Sequence, residues 1–167
     1  WDPQTSFYYD RHLDGRLSPV RAVTGFLPLL LDDLPAERVE PLVAALRDQQ
    51  HFGTAFPVPS VAASHPAFST DMWRGATWLN MNYLVHRGLR LQGRIDEARR
   101  LAEISLAYVN KYYLQYGVLF EFYDATDRLP PPLCDRKGPH QEPYDIRRKM
   151  DAIRDYHWTA AITALLL

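Results

Sequence analysis

Cysteine and lysine are scarce in this sequence of 167 residues, no charge sign dominates, and long apolar runs are absent. The one cysteine, Cys134, cannot form an internal disulfide and has no CxxC partner that would suggest zinc, so no metal is expected and a reducing cytosol suits the chain. Of the 19 basic residues only Lys111, Lys137 and Lys149 are lysines. That arginine bias fits a GC-rich bacterial genome better than it fits a site. A formal net charge of −1 gives no basic footprint for nucleic acid and no polybasic patch for an anionic membrane, so neither partner is expected. No run approaches the ~18 apolar residues of a membrane span, and the opening WDPQTSF has none of the regions of a signal peptide. The expectation is a soluble, cytoplasmic protein. With 47% apolar and 13% aromatic residues, disorder is excluded.

What is present is helical periodicity. Val20, Val23, Leu27 and Leu31 form a stripe that Pro28 should kink or interrupt. After the DDLP turn, Pro35 suits a first helical turn, Glu37 favours the positive helix end, and Val39, Leu42, Val43 and Leu46 share a face. Residues 51–71 carry Pro57, Pro59 and Pro66 among serines and predict a long ordered loop. From Trp78 onward, Met81, Val85 and Leu89 recur at helical spacing until Gly88 and Gly93 bracket a turn. Ile95, Ala98, Ala102, Leu106, Val109 and Tyr113 then make a second stripe, so the two segments predict a helical hairpin. Residues 117–123 read as a short extended stretch, followed by a proline-rich loop. A last helix is expected from about Asp155, with Trp158, Ala161, Ile162 and Leu165 on one face. Five or six helices in hairpin-like pairs without a convincing sheet make an all-α layered fold. Trp1 opens inside a polar and aromatic pattern and the chain stops at Leu165, Leu166 and Leu167 without a capping signal, so both ends look truncated.

Two stretches carry chemistry. Residues 72–83, MWRGATWLNMNY, crowd two tryptophans, an arginine and two asparagines at the start of a helix. Tryptophan there is often core and arginine often solvated. Yet Trp78 and Asn82 stand at i and i+4, so an aromatic face and an amide share one side. Indole stacks on the apolar face of a sugar ring, while guanidinium and amide groups match its hydroxyls; Gly75 lets the backbone approach closely. Glu121 lies among Leu119, Phe120, Phe122 and Tyr123. Simple alternation would turn it to solvent; hemmed by aromatic surface, it would be desolvated and suited to take a proton from water. Asp124 and Asp127 read as turn formers, and no nucleophile-elbow spacing is present.

These residues resemble a known group. Residues 73–84 are similar to the W-R-G-P-x-W-x-x-x-N-Y-L signature of the six-hairpin glycosidases of the processing α-glucosidase I, mannosylglycerate hydrolase and trehalase-like type. Residues 120–127 resemble the segment that carries their general base, residues 156–161 the opening of their final helix, and residues 1–10 their W-D-x-x-T-G-F-F-Y-D segment. Ala76 stands where proline is usual, and Ala125 and Asp127 stand where Pro and Gly are usual. The resemblance implies an all-α fold that is about half, the C-terminal half, of an (α/α)6 toroid. It further implies inverting, exo-acting hydrolysis of α-glucosides or α-mannosides without a cofactor. Glu121 takes the role of catalytic base. Trp73, Trp78 and Trp158 become sugar-stacking walls, Arg74 and Asn82 polar contacts, and Tyr123 an orienting hydroxyl. The group's general acid belongs to a segment that these 167 residues lack, so the partners expected are a small carbohydrate and the N-terminal half of the same protein or a second chain. Alone, the chain is expected to be inactive. Residues 128–154, longer than usual, would form a lid or subsite. Two rival readings are a non-catalytic carbohydrate-binding or scaffold module using the same groove, and a helical interaction repeat resting on residues 78–113.

Overall fold

A computed structural model describes residues 1–167. It contains four α-helices, α1 (Ala36–Arg47), α2 (Leu79–Leu91), α3 (Ile95–Tyr116) and α4 (His157–Leu166), with one 3-10 segment before α1 and two short ones between the helices. There is no strand; seven isolated bridges stitch the loops together. The all-α expectation holds, and no helix is long and apolar enough to cross a membrane.

The α2–α3 hairpin is the frame. Gly93, at φ +71°, makes the turn, and Asp96 and Glu97 sit favourably at the positive start of α3. Gly117, also left-handed at φ +71°, ends α3 with its N–H on the Tyr113 carbonyl at 2.7 Å. The first expected helix differs: residues Val23–Leu30 form a 3-10 helix, and its N–H-less Pro28 accounts for part of the poorer hydrogen-bonding. Its Leu29 packs so closely on α2 that a Cβ on Gly88 would lie 2.6 Å from the Leu29 Cβ.

The last helix also differs. It begins at His157 because Asp155 takes a positive φ of 55° and Tyr156 is extended. Its expected inward face is largely outward: Thr159 is buried, whereas Trp158 and Leu165 are exposed. Ile162 and Leu166 reach the core.

At the amino terminus, the Asp2 carboxylate accepts hydrogen bonds from the Thr5 hydroxyl at 2.8 Å and the Gln4 N–H at 3.0 Å. These bonds lower the Asp2 pKa. The turn delivers Phe7 into a cluster with Phe26 and Phe52, whose ring centroids lie 4.7–5.7 Å from their neighbours.

Candidate active site

The extended stretch after α3 is held from both sides by backbone pairing. Thr77 and Tyr123 exchange N–H···O bonds of 2.9 and 3.0 Å, and the Glu121 N–H donates to the Ile153 carbonyl at 2.9 Å. The segment preceding α2 and the end of the long loop therefore converge on Glu121. α4 is pinned to the same stretch, with the Thr159 hydroxyl donating to the Phe120 carbonyl at 2.7 Å and the Tyr156 N–H to the Leu119 carbonyl at 3.0 Å.

Glu121 is only 4% exposed, which excludes the alternation that would turn it to solvent. Its surroundings are not purely aromatic. The Arg136 guanidinium donates Nε–H to Oε2 at 2.6 Å and Nη2–H to Oε1 at 3.3 Å. This two-point pairing compensates a burial that would otherwise be costly. Burial, then the Glu121 charge, pushes the Tyr156 phenol pKa up.

The aromatic residues divide into supports and exposed faces. Trp73 lies flat on Trp78, with centroids 4.0 Å apart and ring planes 7° apart, and Trp78 packs on Phe122 at 5.2 Å. The Trp78 Nε1–H donates to the Met72 carbonyl at 3.1 Å. Buried between neighbours, Trp78 has no free face for a sugar; it carries Trp73, which is 43% exposed. Arg74 is exposed beside it. The close approach expected at Gly75 is internal, since a Cβ there would fall 2.5 Å from the Ser69 carbonyl oxygen. Trp158, 46% exposed, stands edge-on to Tyr156 at 5.6 Å.

Two further expectations are corrected. Asn82 is fully buried, and its amide donates to the Pro57 carbonyl at 3.2 Å and the Ser105 hydroxyl at 3.0 Å, so it ties α2 to α3 and to the preceding loop. Tyr123 is likewise fully buried. Its hydroxyl accepts the Phe120 N–H at 3.2 Å and steadies the backbone next to Glu121 instead of orienting the carboxylate, while burial raises its pKa. Cys134 is buried in the core, and desolvation pushes its thiol up to about 12.

Asp124 and Asp127 are turn residues, as their pattern suggests. Asp127 occupies a left-handed φ of 57°, and its carboxylate takes Lys111 at 2.6 Å and the Tyr112 hydroxyl at 2.5 Å. Residues 128–154 form an internally bonded loop. Asp151 Oδ1 accepts the Gln141 N–H at 3.1 Å and meets His140 Nδ1 at 3.2 Å, and the Lys137 N–H reaches the Asp71 carboxylate at 3.1 Å, close to the Trp73 loop.

Arg136 and Tyr156 are the site residues that sequence reasoning missed. Arg136 lies 15 positions from its partner across an aperiodic loop, which left no spacing to detect. Tyr156 is visible in the motif opening the last helix, but nothing local links it to Glu121.

Residues 1–159 match the family described as the mannosylglycerate hydrolase MGH1-like glycoside hydrolase domain. The chain belongs to this glycoside hydrolase family. It is 30% identical over 126 residues to the mannosylglycerate hydrolase of Thermus thermophilus, covering 74% of this chain and 29% of that protein. A probable mannosyl-oligosaccharide glucosidase of Schizosaccharomyces pombe is 27% identical over 146 residues, covering 75% of the chain and 18% of that protein. Among solved structures, the Thermus thermophilus GH63 mannosylglycerate hydrolase in complex with Tris and D-glycerate superposes with a TM-score of 0.71 at 26% identity, covering 98% of this chain and 34% of that one. The fold is thus part of an (α/α)6 toroid, and the chain spans about a third or less of the length of these relatives.

Stacking geometry separates the two tryptophans of this glycosidase signature. A sugar-stacking role for Trp73 predicts that Trp73→Ala in the complete protein weakens sugar binding roughly tenfold with little change in melting temperature. Trp78→Ala, which empties a buried site, should cost about 3–5 kcal/mol of stability. Calorimetric titration beside thermal melting checks both, and equal effects on binding and melting for the two variants would contradict the division.

Proposed function

We propose that the protein to which this chain belongs is an inverting, exo-acting glycoside hydrolase on α-mannosides or α-glucosides, with Glu121 as its general base. The observation that carries the reading is a buried carboxylate in the stretch that backs the Trp73–Trp78 stack and anchors the helix bearing Trp158. Exposed indole faces suit a sugar ring, and a carboxylate held away from bulk water suits proton abstraction from one selected water. The family membership supports hydrolysis as the chemistry. The names of the relatives, mannosylglycerate hydrolase and mannosyl-oligosaccharide glucosidase, support a mannose- or glucose-containing substrate.

In this scheme a carboxylic acid from the remainder of the protein, or from a second chain, protonates the glycosidic oxygen. Water attacks the anomeric carbon from the opposite face as the bond to the leaving group breaks, and Glu121 takes the water proton. The two carboxyl groups stand roughly 6.5–9.5 Å apart to admit that water. The 167-residue chain by itself supplies one of the two and is expected to be inactive.

The test is a panel of α-mannosides, α-glucosides and mannosylglycerate incubated with the complete protein. Release of free sugar from at least one is the expected result. Saturable sugar binding with no hydrolysis across the panel would support a non-catalytic binding module instead.

A further inference from the structure

We infer that Arg136 is a positioning residue which fixes the orientation of the Glu121 carboxylate and thereby selects Oε1 as the oxygen that receives the proton. The inference rests on the general-base reading above.

An ionised carboxylate offers about four lone-pair sites. At Glu121, Oε2 is engaged by the Arg136 Nε–H at 2.6 Å and meets the Ile153 N–H in a long contact of 3.5 Å. Oε1 has only the weaker Nη2–H at 3.3 Å. The oxygen with capacity left for a water O–H is therefore Oε1.

The guanidinium is itself held in place. Nη1–H donates to the Lys149 carbonyl at 3.2 Å, and the Arg136 backbone N–H to the Met150 carbonyl at 2.8 Å. Its side chain is 11% exposed, so the planar fork is set by the loop and not by solvent. Held at its far side, it fixes both the tilt and the rotation of the carboxylate. A lysine, offering a compact charge without the fork, keeps the countercharge but not that orientation. The long loop of residues 128–154 thereby acquires a role in the reaction: it carries the group that aims the base.

The experiment compares Arg136→Gln, Arg136→Lys, Glu121→Gln and the Glu121→Gln/Arg136→Gln pair in the complete protein, by steady-state kinetics on mannosylglycerate and 4-nitrophenyl α-glucoside. Misaiming a reacting group costs about 10²-fold, so Arg136→Gln is expected to lower kcat by that order while KM changes less than about threefold. Arg136→Lys should recover part of the loss, and adding Arg136→Gln to Glu121→Gln should cost no more than about threefold further, because the arginine acts through the glutamate. Wild-type kcat in Arg136→Lys or Arg136→Gln, a rise in KM alone, or losses that multiply in the pair would overturn the inference. Should Arg136→Gln not fold, Arg136→Lys decides: kcat lowered at least about fivefold supports positioning, and unchanged kcat rejects it. An active Glu121→Gln variant, or no turnover by the wild type, rejects the general-base reading itself; an inactive Glu121→Gln with an unaffected Arg136→Gln rejects only the role of the arginine.

Discussion

Glu121→Gln in the complete protein is expected to lower turnover by about 10²–10⁴-fold, the range associated with loss of a positioned proton acceptor, while sugar affinity stays within a few-fold of wild type. Glutamine keeps the shape of the side chain and one acceptor oxygen but cannot take a proton from water. It also sets an NH2 group against the Arg136 guanidinium where a carboxylate stood. Some loss of stability follows from leaving that buried charge unpaired, so thermal melting must accompany the kinetics. A folded variant that binds sugar and does not turn over is the predicted combination. Turnover near wild type in a folded variant would remove Glu121 from the chemistry.

The second large effect is on stability. Asp124 is 2% exposed, and its carboxylate accepts the backbone N–H groups of Thr126, Arg128 and Leu129, each at 2.9 Å, together with the Thr126 hydroxyl. It closes the turn that leads from Glu121 into the loop bearing Arg136. Asp124→Ala strands three backbone donors and the Thr126 hydroxyl at once. Unsatisfied groups of this kind cost about 1–3 kcal/mol each before relaxation, so a total of about 3–5 kcal/mol is expected. Asp124→Asn, which keeps one acceptor oxygen, should lose less. Thermal and denaturant melting of the two variants checks the order, and an alanine variant within about 1 kcal/mol of wild type would show that the turn holds without its anchor. Because the turn positions the loop, the alanine variant should also lose activity in parallel with its stability.

The features legible in the sequence were those whose cause is local. The α2–α3 hairpin follows from apolar residues three and four apart and from Gly93 at the turn; both helices start within a residue of the pattern and run past its last apolar positions, Leu89 and Tyr113, to Leu91 and Tyr116. The 3-10 helix of Val23–Leu30 and the delayed start of α4 were not legible. In the first case an apolar stripe fits either helix type until Pro28 and packing on α2 decide; in the second, the positive φ of Asp155 leaves no signature in an aspartate.

The site shows the same division. Trp78 and Asn82 share one side of a helix start, and that spacing is the same whether the side faces a groove or a neighbouring loop; tertiary packing turned both inward. Burial of Glu121 could be anticipated from the aromatics around it, but its ion pair could not. The pairing depends on how a 27-residue, proline-rich loop folds back, and no periodicity records that. Trp73 and Trp158 remain exposed at the surface.

Stereochemistry tests the central claim most directly. When the complete protein hydrolyses an α-glycoside, proton NMR taken in the first moments of reaction, before mutarotation, should show the β-anomer as the first product, since water activated by a carboxylate on the face opposite the leaving group inverts the anomeric carbon. An α-anomer formed first would mean a covalent intermediate, and would contradict the assignment of Glu121 as the base that activates water.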